Sequence, residues 1–519
     1  MRIANPRAVV LLTIMLGLAV HTGTALFFGL TYNESYVAVV SRHLELGYVD
    51  HPPLMMWLVA AMRFLTGSET GLIVRLPSIL SFAATTWLVY EIGRAFFGDR
   101  AGAYGAIALN LSPVFALFIG GLAITDAPML FFVVLSAYLL QRALFGASSR
   151  AAWWYWLGAG ICTGLGMLAK YNAAFLPAGA ALFLLTQPAY RRWLWHPAPY
   201  VAVLACLLVF SPVLLWNAQH DWISLTFQGS RALPEGGPKL DRLLAYLGVQ
   251  AAVTLPWIWI ALIALLFLGL RAGPKDAPRW FLCCLAIGPI LFFALVRLWA
   301  NRADRGFHWA APGYVMLFPL LGAAIDNWMA NHAQRIRSWL VASLVTLAVL
   351  LSVMISHSLT GWVRLLHPSF AQREPLLLDL LEWNDLDSYL RNRGLVNAGT
   401  FVAAHRWRDC ARIDYALHGK VPLLCLTDTP LQFSFFEDQS AVLNKDAVIV
   451  SSDWTLADAR AAFGAYFSAI EPMPSITLGQ FGLPIMRLNL FAGRNFHREF
   501  AWPYGRHVQL PEHNGPRKP

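Results

Sequence analysis

Charge is scarce in this sequence. Only 13% of its 519 residues are Asp, Glu, Lys or Arg, whereas soluble domains carry about 25%. An ordinary soluble chain is thereby excluded for most of the length. Cysteine is scarce as well, with six residues and neither a Cys-x-x-Cys nor a His-x-x-x-His spacing, so no zinc signature is present. No internal repeat and no low-complexity tract breaks the chain. A basic patch on a soluble domain is also missing. Residues 1–357 hold 23 Lys+Arg against 13 Asp+Glu, while residues 358–519 hold 16 of each. The whole positive excess lies in the apolar part, which argues against a nucleic-acid partner.

What is abundant is apolar. The chain is 57% hydrophobic, with a mean hydropathy of +0.52. Apolar runs at roughly 8–30, 70–92, 101–120, 127–145, 152–169, 172–187, 198–216, 246–270, 280–298, 309–326 and 338–357 have the length of membrane-crossing helices. The expectation is a mostly α, polytopic membrane protein of about eleven transmembrane helices. Placing the N-terminus in the cytoplasm puts "RAFFGDR", "RALFGASSR", "RRW", "RAGPKDAPR" and "RIR" on that side, as the excess of Lys and Arg in cytoplasmic loops requires. The odd number of spans then carries the C-terminal region outside. The first run has no clear small-x-small cleavage site and is read as a retained anchor.

Two domains are expected, a transmembrane domain over 1–357 and an outer-face α/β domain over 358–519. In the second, "TFVAAH", "VPLLCL" and "AVIVSS" are strand-length, and "LLDLLEWNDLDSYLRNRG" is helical and stops on Gly394. "FSFFEDQSAVL" and "HRWRDCARIDYALHG" are rich in aromatics and charges; either they cap a site and shape acceptor choice, or they belong to an ordinary soluble fold. The final "PEHNGPRKP" reads as disordered. Cys162, Cys206, Cys283 and Cys284 are packing residues. An oxidising outer compartment would let Cys410 and Cys425 pair, while strand–helix–strand geometry would hold them apart; both outcomes stay open.

Ionisable groups at membrane depth are costly and mark function. On this topology they gather at the outer helix ends: Glu34, Asp50 and His51 in the first loop, Asp126 in the second, Lys170 in the third, Arg231 in the fourth, Arg305 and His308 in the fifth. The first loop, "NESYVAVVSRHLELGYVDHPPL", predicts an interfacial helix with Asn33 as N-cap and Gly47 as its stop. A second such helix follows, with Pro52 and Pro53 in its first turn. Glu45, Arg42 and Arg63 are expected to face water. Asp126 in "TDAP" also fits an ordinary helix N-cap, Lys170 a snorkelling lysine, and Arg231 a solvated loop residue.

The stretches "NESYVAVVSRHLELGYVDHPPLMMWL", "LAITDAPMLFFVVLSAYLLQRAL" and "LGMLAKYNA" resemble the C-type superfamily of glycosyltransferases that use lipid-linked sugars. The protein O-mannosyltransferases and the aminoarabinose transferases acting on lipid A are the nearest in pattern. The likeness covers the first ~240 residues well and the rest by layout. It implies inverting transfer of a sugar from a polyprenyl-phosphate donor to a lipid, glycan or protein acceptor, on the outer face of a bacterial inner membrane. It implies a carboxylate base, for which Glu34 is the choice and Asp126 the competitor, with Asp50 orienting His51 or helping to hold a metal, and cations for the leaving phosphate, which His51, Lys170, Arg231, His308 and Arg305 would supply. Relatives usually begin the first-loop motif with Asp-Glu; here Asn33-Glu34 stands there, and an amide is no base. No cofactor follows from the sequence. Some relatives hold a divalent ion near the first-loop turn, for which Asp50 and His51 would be ligands, and others need none. Two other readings stay open: a transporter or flippase of lipid-linked sugars, and a non-catalytic relative.

Overall fold

The computed structural model describes residues 3–146, 148–230, 237–299, 306–365, 378–397 and 399–505. Along the chain run α1 (Pro6–Phe27), α2 (Tyr32–Val40), α3 (Leu54–Thr66), α4 (Gly71–Phe97), α5 (Asp99–Asn110), a π-helical turn (Val114–Ile119), α6 (Asp126–Phe145), α7 (Ser149–Ala169) and α8 (Phe175–Thr186). Then come α9 (Pro197–Gln219), α10 (Ile223–Ser230), α11 (Leu240–Thr254), α12 (Pro256–Ala272), α13 (Ala277–Val296), α14 (Ala311–Val315), α15 (Phe318–Asn331) and α16 (Ala333–Thr360). After them the fold alternates: α17 (Asn384–Asn392), β1 (Thr400–Ala404), α18 (Trp407–Ala416), β2 (Leu423–Cys425), α19 (Phe433–Phe436), β3 (Asp446–Ser451), α20 (Leu456–Phe463), β4 (Phe467–Gln480) and β5 (Leu483–Phe496).

Two compact units result. One is Met1–Phe27 with Glu45–Ser352; the other is Phe28–Leu44 with Val353–Pro519. The first is helical. Among the described residues seven helices are long and apolar enough to cross a membrane, or eight if the bent pair Tyr171–Thr186 and Pro188–Trp195 is one span. Helices occupy the expected apolar runs, but several of those runs are broken. Residues 101–120 divide into α5 and the π-helical turn, where Gly120 N–H reaches back to Phe115 O at 2.9 Å. Residues 246–270 divide at Leu255, whose φ is +75°, because Pro256 starts a new helix and has no N–H to continue the old one. Both breaks fall at a proline, Pro113 and Pro256, inside an otherwise apolar run.

Helices in this unit approach closely through small residues, as packing in lipid favours. A Cβ on Gly322 of α15 would strike the Ala101 carbonyl and the Gly105 backbone of α5. A Cβ on Gly160 of α7 would strike the backbone of Ala202 on α9. Between α6 and α7, Ser136 Oγ donates to Ala159 O at 2.9 Å, so a buried hydroxyl is satisfied across the pair.

The second unit holds one five-stranded sheet in the order β2-β1-β3-β5-β4. β1 runs parallel to β2 and β3, and β5 runs antiparallel to β3 and β4, with Val402 beside Leu423 and Ile449 beside Phe491. The three strand-length runs read from the sequence are β1, β2 and β3. One face of the sheet packs Phe401, Ala403 and Ile449 against Ala459 and Phe463 of α20. Gly394 follows α17 at φ +63°, a conformation that glycine adopts without a Cβ clash. Cys410 and Cys425 form a disulfide that ties α18 to β2.

The first loop differs from expectation at both helices. α2 ends at Val40, not near Gly47, and Thr31 caps it, not Asn33. The reason is a capping box: Thr31 Oγ1 accepts from Glu34 N at 3.3 Å, and Glu34 Oε2 accepts from Thr31 N at 3.0 Å. α3 starts at Leu54, with Pro53 as its N-cap residue. Arg42 does not face water; it is paired with Asp414 at 2.7 Å with little of either side chain exposed. The terminal "PEHNGPRKP" lies outside the described residues.

Gly322→Val is expected to force α5 and α15 apart and cost about 1–3 kcal/mol through overpacking. The check is the thermal midpoint of the purified protein in detergent; a midpoint equal to the parent's would refute the close approach.

Candidate functional site

Asp126 and Lys170 meet because α6 and α7 are neighbours joined by a short connection. The start of α6 and the end of α7 therefore lie at one end of the pair. Asp126 is the first residue of α6, and Pro128 fits the first turn, where an N–H is not needed. The N-cap position is Thr125, so the Asp126 carboxylate is not spent on capping. α7 stops at Ala169, and Lys170 leaves it with extended backbone. Lys170 Nζ donates to Asp126 Oδ2 at 2.7 Å, with side-chain exposures of 10% and 2%. This is a buried ion pair, not a lysine snorkelling to water.

His308 completes a triad. Its Nε2 lies 3.6 Å from the same Asp126 oxygen, and its ring sits 5.1 Å from both Phe118 and Phe307. Burial outweighs the pull of Asp126 and pushes His308 down to about 4, so the imidazole is neutral at pH 7 and acts there as a hydrogen-bonding group. Two atoms of the triad, Asp126 Oδ1 and His308 Nδ1, are buried and find no hydrogen-bond partner among the described residues. Buried polar atoms are nearly always satisfied, by protein or by ordered water, so these two atoms are open to a further bonding group.

The first-loop turn adds to this set. Tyr48 N–H donates to His51 O at 3.2 Å and closes the turn before Pro52-Pro53. Asp50 is buried, and its carbonyl accepts from Gln228 Nε2. His51 Nε2 lies 3.8 Å from Asp50 Oδ2. His51 also lies within electrostatic reach of both Asp126 and His308. Arg297 is a member that the sequence reading missed. It is 3% exposed, follows α13, and its guanidinium lies over the rings of Tyr246 at 5.3 Å and Trp309 at 5.1 Å. Its signal was present: an Arg at the end of the apolar run "FFALVRLWA" obeys the same rule that singled out Lys170.

The metal question turns on donors. Asp50 and His51 supply two, and among the described residues no group of three or more His, Cys, Asp or Glu is placed to hold an ion.

Residues 50–216 match the family model described as dolichyl-phosphate-mannose-protein mannosyltransferase. The chain is 31% identical over 279 residues to lipid A galacturonosyltransferase RgtD of Rhizobium johnstonii, covering 53% of this chain and 56% of that protein. It is 28% identical over 360 residues to undecaprenyl phosphate-alpha-4-amino-4-deoxy-L-arabinose arabinosyl transferase 2 of Pseudomonas fluorescens, covering 66% and 57%. The chain thus spans just over half the length of these two relatives. The crystal structure of ArnT from Cupriavidus metallidurans bound to undecaprenyl phosphate superposes with a TM-score of 0.65 at 18% identity, over 93% of this chain and 97% of that one. The resemblance to the C-type superfamily is borne out. Asp50, His51, Asp126 and Lys170 all fall inside the matched residues 50–216, whereas Glu34, Arg231, Arg305 and His308 fall outside.

Glu34 belongs to the second compact unit and is described there. It is fully buried, and its carboxylate accepts the Thr31 amide of the capping box. Arg231 and Arg305 lie outside the described residues.

Lys170→Met would leave the Asp126 charge buried without its nearest cation. Removing one partner of a buried pair costs about 3–5 kcal/mol, so unfolding at a clearly lower temperature is expected. The double variant Lys170→Met/Asp126→Leu should recover most of the loss. A single variant as stable as its parent would contradict the pair.

Proposed function

We propose that this chain is an integral-membrane, inverting glycosyltransferase that takes its sugar from a polyprenyl-phosphate donor. The observation that carries this reading is the set of Lys170, His308 and His51 about Asp126, with Asp50 beside His51 and Arg297 within electrostatic reach of His308. Such a set suits a phosphate that gains negative charge as it leaves. The printed names of the relatives support it, since they act with undecaprenyl-phosphate sugars or on lipid A. So does the fold shared with ArnT. By analogy with those names, the acceptor is a hydroxyl or phosphate of a lipid-anchored glycan. The topology that goes with this reading has eleven spans, a cytoplasmic N-terminus and the C-terminal α/β region on the periplasmic side of the inner membrane.

The transfer is a single displacement. An acceptor oxygen attacks the anomeric carbon, the bond to the lipid phosphate breaks, and the acceptor proton passes to a carboxylate. Asp126 has Lys170 on one oxygen, which makes it a poor base and a good orienter of the cations. Asp50 shares a compact unit with that triad and is the base this geometry favours. Glu34 is the competing base. Lys170 and Arg297 carry the charge that meets the departing phosphate, and neutral His308 donates a hydrogen bond.

Purified protein given radiolabelled undecaprenyl-phosphate sugar and a lipid A acceptor should show transfer. Asp50→Asn should lower kcat by about 10²–10⁴, the usual worth of a general base, with donor binding retained. Full activity in Asp50→Asn together with loss in Glu34→Gln would move the base to Glu34. Absence of transfer with every donor, in protein that is folded, would favour the non-catalytic reading.

A further inference from the structure

The helix that carries Glu34 is built into the C-terminal unit. α2 has nine residues, whereas an isolated helix needs about 12–15 to hold in water. It is nonetheless helical, and Glu34 through Val40 are all buried. Its stability therefore comes from what it packs on. That partner is the second unit, which takes in Phe28–Leu44 although Val353 is more than 300 residues further along the chain.

The contacts are specific. Tyr36 places its ring between Trp407 at 5.5 Å and Phe433 at 6.0 Å, and its hydroxyl accepts from Gln432 N at 3.2 Å. Arg42 donates to Asp414 Oδ1 at 2.7 Å. The His43 ring stacks on Phe436 at 4.1 Å with an interplanar angle of 1°. At the other end of the helix, Tyr32 lies edge-on to Trp407 and beneath the Arg408 guanidinium at 4.4 Å. Trp407, Arg408 and Asp414 are all on α18, the helix that the Cys410–Cys425 disulfide ties to the sheet. One rigid helix of the C-terminal unit thus holds both ends of α2.

We infer that the C-terminal unit sets the position of the first-loop helix, and that Arg42 and Tyr36 are positioning residues for the transfer proposed above. The inference rests on that function only in its second half. Arg42 anchors the chain eight residues after Glu34, so the placement of that candidate base depends on this anchor. Neither residue is assigned contact with a reacting atom. Their part is to keep the loop in one register, and a loosened loop would populate the reactive geometry less often.

The test uses the full chain in detergent or nanodiscs with two independent readouts. Hydrogen–deuterium exchange of residues 32–44 reports the anchoring. Transfer kinetics report its consequence. Arg42→Ala and Tyr36→Phe are expected to raise exchange over 32–44 several-fold while α6 and α7 keep the parent's protection. They should lower kcat about tenfold or more, with KM for the donor little changed. The charge-swapped pair Arg42→Asp/Asp414→Arg should restore protection and rate together, and Arg42→Lys should restore part of both. Unchanged exchange over 32–44 in Arg42→Ala overturns the inference, as does a swap that restores neither readout in folded protein. If the parent itself shows no transfer, the function fails, but the exchange readout still decides whether the C-terminal unit holds α2.

Discussion

A carboxylate with 2% of its side chain exposed stays ionised only if a cation stands beside it. Asp126 has Lys170 at 2.7 Å, and from that pairing much of the first unit follows. α6 must begin where α7 ends, and the connection between the next elements must return His308 to the same oxygen. Phe118 and Phe307 flank the imidazole, and beside nearly buried Asp126 the electrostatics act in a medium poorer than water, where each charge counts for more. Two buried atoms, Asp126 Oδ1 and His308 Nδ1, are then left without partners among the described residues. A fold that served only stability would have little use for them.

The two compact units solve different problems. In the helical unit, backbone polar groups are satisfied within each helix, and association relies on close approach at Gly322 and Gly160 and on buried hydroxyls such as Ser136. In the second unit, a five-stranded sheet packs apolar residues on α20, as a soluble α/β layer does. The second unit also takes in a short segment from near the N-terminus. That segment is too short to be a stable helix by itself, so beyond its own capping box it depends on packing within the C-terminal unit.

Much was legible in the chain. The apolar runs located the helices because a backbone in lipid must bond to itself, and length and composition are then enough. The strand-length runs located β1, β2 and β3 for a similar reason: buried parallel strands are continuous apolar stretches. Asp50, His51, Asp126 and Lys170 stood out because charge is rare among such runs, and the structure brings the latter three within electrostatic reach of one another. Arg297 carried the same signal and was passed over. The breaks at residues 111–113 and at Leu255 were passed over by a reading of hydropathy alone, although Pro113 and Pro256 mark them.

By itself, then, the sequence determined a helical membrane part, a small α/β part and a short roster of charged residues at helix ends. Composition and periodicity suffice for that, because they act locally. Only the tertiary structure decided which charges pair. Lys170 and Asp126 are 44 residues apart, Arg42 and Asp414 are 372 apart, and no local pattern relates residues so distant. The cap of α2 is a different case, since Thr31-x-x-Glu34 is a local capping-box pattern that the choice of Asn33 passed over. The disulfide, by contrast, was decided by the tertiary structure. Cys410 and Cys425 sit on a helix and the next strand, and only the packing of α18 on the sheet brings them together.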